Sequence, residues 1–206
     1  MSVSHYELVR LAWAAYAGPW TEVVAADVRY SLIARLGETV VALPGTHPSD
    51  PSDWLRDLSV WPARLRGLGL VHAGFGLGAR AAWVRMAPAL PADRLVTFTG
   101  HSLGGALAAC LGAIHAYERP GVPFRVVTFG QPRVALLNPC FGRLLGKGVE
   151  RALYARRGDI VPDVPPRPYL HGGRLTLIGT AVDDAPIGSH SIGRYADDVK
   201  ALSPAF

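Results

Sequence analysis

A chain of 206 residues, half of them hydrophobic and 18% charged, is long enough to bury one sizeable core and short for two, so residues 1–206 read as a single folded domain. The net charge is +5, but the basic residues are scattered and nearly all arginine, with no dense run interleaved with aromatics, which argues against a nucleic-acid partner. No apolar run approaches the ~18–20 residues of a membrane-spanning helix, and the two cysteines, Cys110 and Cys140, form neither a metal nor a redox spacing.

In chain order, the first apolar stretch is Leu11–Ala17, preceded by Glu7 and Arg10. It is too short for a secretory signal and reads as an amphipathic helix closed by Gly18-Pro19. The expected location is therefore cytoplasmic, with leaderless export left open. Asp27–Arg35 and Glu38–Leu43, joined across Leu36-Gly37, read as two strands of a hairpin. A Pro/Ser/Asp-rich loop, Pro44–Asp53, leads into Trp54–Trp61, where Trp54, Leu55, Leu58 and Trp61 recur at helical spacing. Ser52 is a good N-cap for such a helix. Gly74–Ala87 reads as a helix weakened by Gly76 and Gly78. Strands are predicted at Arg94–Thr99, Phe124–Phe129, Glu150–Ala155 and Leu175–Ile178, and helices at Ala106–His115 and Ser191–Leu202. Strands alternating with helices imply an α/β fold, with a mostly parallel central sheet and helices on both faces.

The most specific stretch is Thr99-Gly100-His101-Ser102-Leu103-Gly104-Gly105, a G-x-S-x-G pentapeptide between a predicted strand and a predicted helix. A serine on such a turn is the nucleophile elbow of an α/β-hydrolase. The turn is tight enough that side chains two residues to either side would collide, which requires Gly100 and Gly104. The following helix aims its N-terminal N–H groups at the serine, where negative charge develops in acyl transfer.

A serine hydroxyl needs a neutral imidazole to take its proton and a carboxylate to orient that imidazole. In this fold the chain order is Ser, then Asp or Glu, then His. Asp159 sits just past the Glu150–Ala155 strand, where site residues of such sheets gather. Its rivals are Asp163, further from the strand end, and Asp183 and Asp184 in a polar turn. Only His171 and His190 follow it. Position before the last helix favours His190, with His171 kept as the alternative. His101, beside the serine, is expected to point away from the elbow tip and to pack or hydrogen-bond nearby. An oxyanion needs preorganised donors. One is the N–H of Leu103. The second is expected from Leu43-Pro44-Gly45-Thr46, through Thr46, although the residues alone leave open a plain Pro-Gly turn.

These residues carry a resemblance. Val41-Ala42-Leu43-Pro44-Gly45-Thr46, Asp53-Trp54-Leu55-Arg56-Asp57-Leu58, Val71-His72-Ala73-Gly74-Phe75, the serine segment, Thr128-Phe129-Gly130-Gln131-Pro132-Arg133-Val134, Asp159-Ile160-Val161-Pro162, Tyr169 with His171-Gly172, and His190-Ser191 with Tyr195 occur in order. Over about Val40 to Tyr195 the chain resembles the class 3 lipases. The resemblance implies an α/β-hydrolase fold, with Ser102 as nucleophile, Asp159 as acid and His190 as base. It implies that His171 is structural, that Thr46 is an oxyanion residue, and that the Asp53–Leu58 region forms or adjoins a lid. Trp54, Leu55 and Leu58 are then substrate-binding or lid residues, the other reading being that their apolar face packs on the core.

One departure stands out: the family usually has Arg before the Gly-Thr/Ser of the oxyanion loop, and here it is Pro44. The chain is also shorter than the fungal members and shows no signal peptide of their kind. The expected activity is hydrolysis of acylglycerol or other lipid esters through an acyl-enzyme, with no metal or organic cofactor. The expected partner is a lipid or small-molecule ester, with peripheral contact at a lipid surface; the oligomeric state is left open. Two rivals remain: a phospholipase A-type enzyme acting on membrane lipids, and a catalytically silent lipid-binding module.

Overall fold

In a computed structural model, the described residues are 2–24, 28–46, 61–180 and 188–202. Seven strands form the central sheet: β1 (Glu22–Val24), β2 (Val28–Arg35), β3 (Glu38–Leu43), β6 (Leu95–His101), β7 (Phe124–Phe129), β9 (Glu150–Arg156) and β11 (Leu175–Ile178), in the spatial order β1-β2-β3-β6-β7-β9-β11. The β2–β3 hairpin turns at Leu36-Gly37 as the sequence predicts, and every pairing from β3 to β11 is parallel. The sheet is apolar on both faces, as a parallel sheet covered on both sides requires. Neighbours along a strand point to opposite faces. Val41 and Val126 join the core under α2 (Ala73–Met86), α3 (Leu103–Glu118) and α4 (Pro139–Leu145). Val40 and Val127 join the core under α1 (His5–Ala14) and α5 (Ile192–Leu202).

The structure adds elements that periodicity did not reveal. A second, antiparallel sheet has the order β10-β8-β5-β4, from β4 (Pro62–Leu65), β5 (Gly69–His72), β8 (Ala135–Leu136) and β10 (Tyr169–Leu170). Its strands of two to four residues are too short for a period-2 pattern. α4 was likewise not expected; Asn138 caps it, accepting the Phe141 N–H. The first helix ends at Ala14, four residues before Gly18. The helix after the serine runs from Leu103 to Glu118, longer at both ends than its Ala/Leu-rich centre suggested. The expected helix at Trp54 lies outside the described residues. Trp61, which closes that stretch, is 75% exposed.

The fold places the site by register. Leu43 at the end of β3 pairs with Gly100, His101 with Phe129, and Phe129 with Tyr154. The C-terminal ends of β3, β6, β7 and β9 therefore form one row, and the loops leaving them meet along it.

Candidate active site

Ser102 lies between β6 and α3 with φ 58° and ψ −128°, a backbone conformation that a side chain rarely adopts. The surroundings hold it there. Its N–H donates to Phe129 O at 3.0 Å, and its carbonyl accepts from the N–H groups of Gly105 (2.9 Å) and Ala106 (3.2 Å). A Cβ on Gly100 would collide with the backbone of Gly104, as the elbow reading requires. A Cβ on Gly104 would instead strike the carbonyl oxygens of Leu43 and Pro44, so this glycine also lets the β3 loop come down onto the elbow.

Asp159 follows β9 and is buried. Its Oδ1 accepts the Val161 N–H at 2.9 Å. Its Oδ2 accepts the Tyr195 O–H at 2.7 Å and lies 2.8 Å from His190 Nδ1. The carboxylate can only accept, so Nδ1 carries the proton and Nε2 keeps the lone pair. Nε2 of His190 is buried and makes no hydrogen bond among the described residues. Tyr195, from α5, also accepts the Arg156 N–H at 2.9 Å. Burial, and then the Asp159 charge, push its phenol well above the usual tyrosine range, so it stays a donor. The turn bearing His190, Gly188–His190, is held by the Arg156 guanidinium, which donates to Ser189 O at 3.2 Å and pairs with Asp198. Gly130 lies against this group: a Cβ there would be 3.0 Å from His190 Cε1 and 3.1 Å from Asp159 Oδ2.

The alternatives take other places. His171 donates through Nε2 to Pro162 O at 2.8 Å, bracing the turn after Asp159, and burial lowers its pKa to about 4. Asp163 pairs with Arg133 at 2.6 Å. Asp183 and Asp184 lie outside the described residues.

Gly45 comes down on the serine, where a Cβ would stand 3.0 Å from Ser102 Cβ. Thr46 and Leu103 line a cavity of about 490 Å³ beside it, with Phe75, Leu107, Trp20 and Arg29. The Leu103 N–H is the first of α3, where no intrahelical acceptor is in reach. Trp54, Leu55 and Leu58 lie outside the described residues.

Two side chains at the site, Tyr195 and Tyr16, are given no chemical role by the sequence. Tyr195 belongs to the resemblance only as a landmark. Tyr16 carries no signal, because it follows a helix remote in sequence. His101 packs and hydrogen-bonds nearby, as expected, and its partners include His190 itself. Both cysteines are free, Cys110 buried in the core on the helix after the serine and Cys140 exposed.

Among known proteins, residues 40–169 match the family Lipase (class 3). The chain is 36% identical over 106 residues to Lipase ZK262.3 of Caenorhabditis elegans, covering 48% of this chain and 30% of that protein. It is 40% identical over 76 residues to the secreted mono- and diacylglycerol lipase MDL3 of Malassezia globosa, covering 36% of this chain and 24% of that one. The chain thus spans less than a third of the length of the curated relatives it matches. In solved structures it superposes on the Rhizomucor miehei triacylglyceride lipase with a TM-score of 0.67 at 23% identity, covering 84% of this chain and 78% of that one. That likeness carries the α/β-hydrolase fold alone. By the family match over more than half its residues, this chain belongs to the class 3 lipase family.

Proposed function

We propose that this chain is a serine carboxylic-ester hydrolase that cleaves acylglycerol or other lipid esters through an acyl-enzyme. The observation that carries the reading is the Asp159–His190 pair at 2.8 Å, whose outer ring nitrogen is buried and makes no hydrogen bond among the described residues, at the same end of the sheet as a serine on a strained elbow. In the proposed reaction His190 Nε2 takes the Ser102 proton as Oγ attacks the ester carbonyl. The positive charge that forms on the ring is balanced by Asp159, whose own position Tyr195 and the Val161 N–H maintain. The Leu103 N–H and Thr46 receive the oxyanion. The His190 imidazolium then protonates the leaving alcohol, and the neutral ring later activates the water that releases the acid.

The test is labelling with a fluorophosphonate probe together with turnover of p-nitrophenyl and glycerol esters of increasing chain length. We expect labelling confined to Ser102 and ester turnover abolished by Ser102→Ala. A wild-type protein that neither labels nor turns over any ester of the series is instead the silent lipid-binding module.

A second reading has an observation of its own. The Arg29 guanidinium stacks on Trp20, 4.4 Å from the ring centroid, in the wall of the site cavity. A cation there favours esters that carry a negative group, as phospholipids do. Release of fatty acid from phospholipid vesicles in preference to acylglycerol emulsions supports that reading.

A further inference from the structure

Tyr16 lies two residues past the end of α1, and His101 immediately precedes Ser102. The Tyr16 hydroxyl is 2.8 Å from His101 Nδ1, and His101 Nε2 is 2.8 Å from the carbonyl oxygen of His190. A carbonyl only accepts, so Nε2 carries the ring proton. Burial holds His101 well below the usual histidine range, so the ring is neutral and Nδ1 is an acceptor for the Tyr16 O–H. The Tyr16 hydroxyl also packs directly on Gly45, where a Cβ would collide with it. Both donors in this line point the same way, from Tyr16 to His101 and from His101 to the backbone of His190. Bonds aligned in this sense polarise one another.

The line joins parts of the molecule that are far apart in sequence. One end is the loop bearing Thr46, which opens on Pro44. Proline brings neither charge nor N–H to anchor that loop. The other end is the turn bearing His190. Between them lies the residue next to the serine, and the His101 ring also stacks on the His190 ring, with centroids 4.5 Å apart and planes 30° apart. The groups facing His101 are Tyr16, His190 and, edge-on at 5.6 Å, Tyr195. None of them is a carboxylate, and burial outweighs the pull of the His190 carbonyl toward a charged ring. α1, which delivers Tyr16, is itself fixed at its start: the Val3 N–H donates to Glu38, and the Val3 carbonyl accepts from Arg125 at 2.7 Å.

We propose that Tyr16 and His101 are positioning residues whose hydrogen-bonded line holds the Gly45–Thr46 loop and His190 in register about Ser102, making the N-terminal helix part of the catalytic framework. This rests on the reading of Ser102 as nucleophile and His190 as base. Neither Tyr16 nor His101 is assigned a contact with the reacting atoms. Their loss therefore slows the chemical step without weakening the hold on a small substrate.

Tyr16→Phe removes one hydroxyl and keeps the ring. His101→Phe keeps a stacking ring and removes both polar ends, whereas His101→Gln restores a donor and an acceptor on one side chain. With p-nitrophenyl butyrate, Tyr16→Phe should lower kcat about tenfold, the size expected for one lost buried hydrogen bond, and His101→Phe, which removes two, at least as much. Fluorophosphonate labelling of Ser102 should slow by a similar factor, with KM changed by less than about twofold. His101→Gln should recover most of that loss. The double variant Tyr16→Phe/His101→Phe should be no slower than His101→Phe alone, because both interrupt one line. Folded Phe variants with wild-type kcat and labelling would overturn the proposal. So would a loss that Gln does not relieve and that only follows a fall in Tm. If His101→Phe does not fold, Tyr16→Phe decides alone by the same readings. Ser102→Ala, measured alongside, separates the two levels. If it is active, the serine-hydrolase reading fails. If it is inactive while the Phe variants match wild type, only the positioning line fails.

Discussion

The two ends of the central sheet are built on opposite terms. At the N-terminal end of the parallel strands, Arg125 is buried and fully engaged. It donates to Thr97 Oγ1 at 2.8 Å, to the Val3 carbonyl at 2.7 Å, to Glu38 at 3.0 Å and to Glu150 at 3.1 Å. Thr97 donates to Glu38, and His5 closes the cluster with contacts to Glu150 and Tyr154, both at 2.7 Å. At the C-terminal end, a serine sits in a strained conformation, and a buried imidazole nitrogen makes no hydrogen bond among the described residues. A buried charge is tolerated only when its partners are complete, so the first end fastens the chain. The second end keeps an uncommitted acceptor and an unrelaxed backbone, which cost stability and are useful only to chemistry.

The sharpest way to break this contrast is to remove the uncommitted groups. Ser102→Ala and His190→Ala should each lower kcat for a p-nitrophenyl ester on the order of 10⁶-fold, with the double variant no worse than either. Ser102→Ala should not lower Tm by more than about 2 °C, whereas His190→Ala also takes a donor from the buried Asp159 and should cost some stability. Clearly additive losses would show that the two groups do not act as a unit. Arg125→Met should do the converse. It leaves Glu38 buried without its cation, at a cost of about 3–5 kcal/mol in urea denaturation, while kcat per folded molecule falls far less than in Ser102→Ala. A large fall in kcat with unchanged stability would mean that the two ends are not separable.

Thr46→Val asks which part of the oxyanion loop acts. It removes the hydroxyl and keeps the shape and the backbone N–H. A hydroxyl that donates to the oxyanion should show as a kcat loss of about 10²–10³-fold. A change confined to KM would reduce Thr46 to a wall of the cavity.

The smallest expected effect is on stability against pH, and it belongs to histidines outside the site. Burial lowers the pKa of both His115 and His171 to about 4, and the Nδ1 of each is buried and makes no hydrogen bond among the described residues. Their folded values lie below the unfolded value of 6.5, so the unfolded chain takes up the proton first. Stability is then complete above about pH 6.5 and is lost as pH falls from there toward 4, by up to about 3 kcal/mol for each histidine. Urea midpoints across that interval should fall for wild type and fall less for His115→Phe, whose ring suits the pocket of Trp83, Phe98 and Phe124. Parallel slopes in the two proteins would remove His115 from the account.

Much of the architecture is legible in the chain because it rests on local pattern. Apolar β-formers at Phe124–Phe129, a hairpin turn at Leu36-Gly37 and an Ala/Leu-rich stretch after Ser102 are decided within a few residues by sterics and side-chain period. The order Ser102, Asp159, His190 is likewise a one-dimensional property, and it narrowed the base to two histidines before any geometry was known. Gly100 was also predictable, because its neighbour in the elbow is only four residues away. What local pattern does not reach is the partner at long range. Gly104 yields to the Leu43 carbonyl, Tyr195 meets Asp159 across 36 residues, and Arg125 meets Glu38 across 87. The four short strands of the second sheet are stabilised by one another rather than by their own periodicity. His171 and His190 are equally polar letters in the sequence. Only folding gives one a backbone carbonyl and the other a carboxylate, because their surroundings are assembled from strands and turns that meet only once the chain has closed.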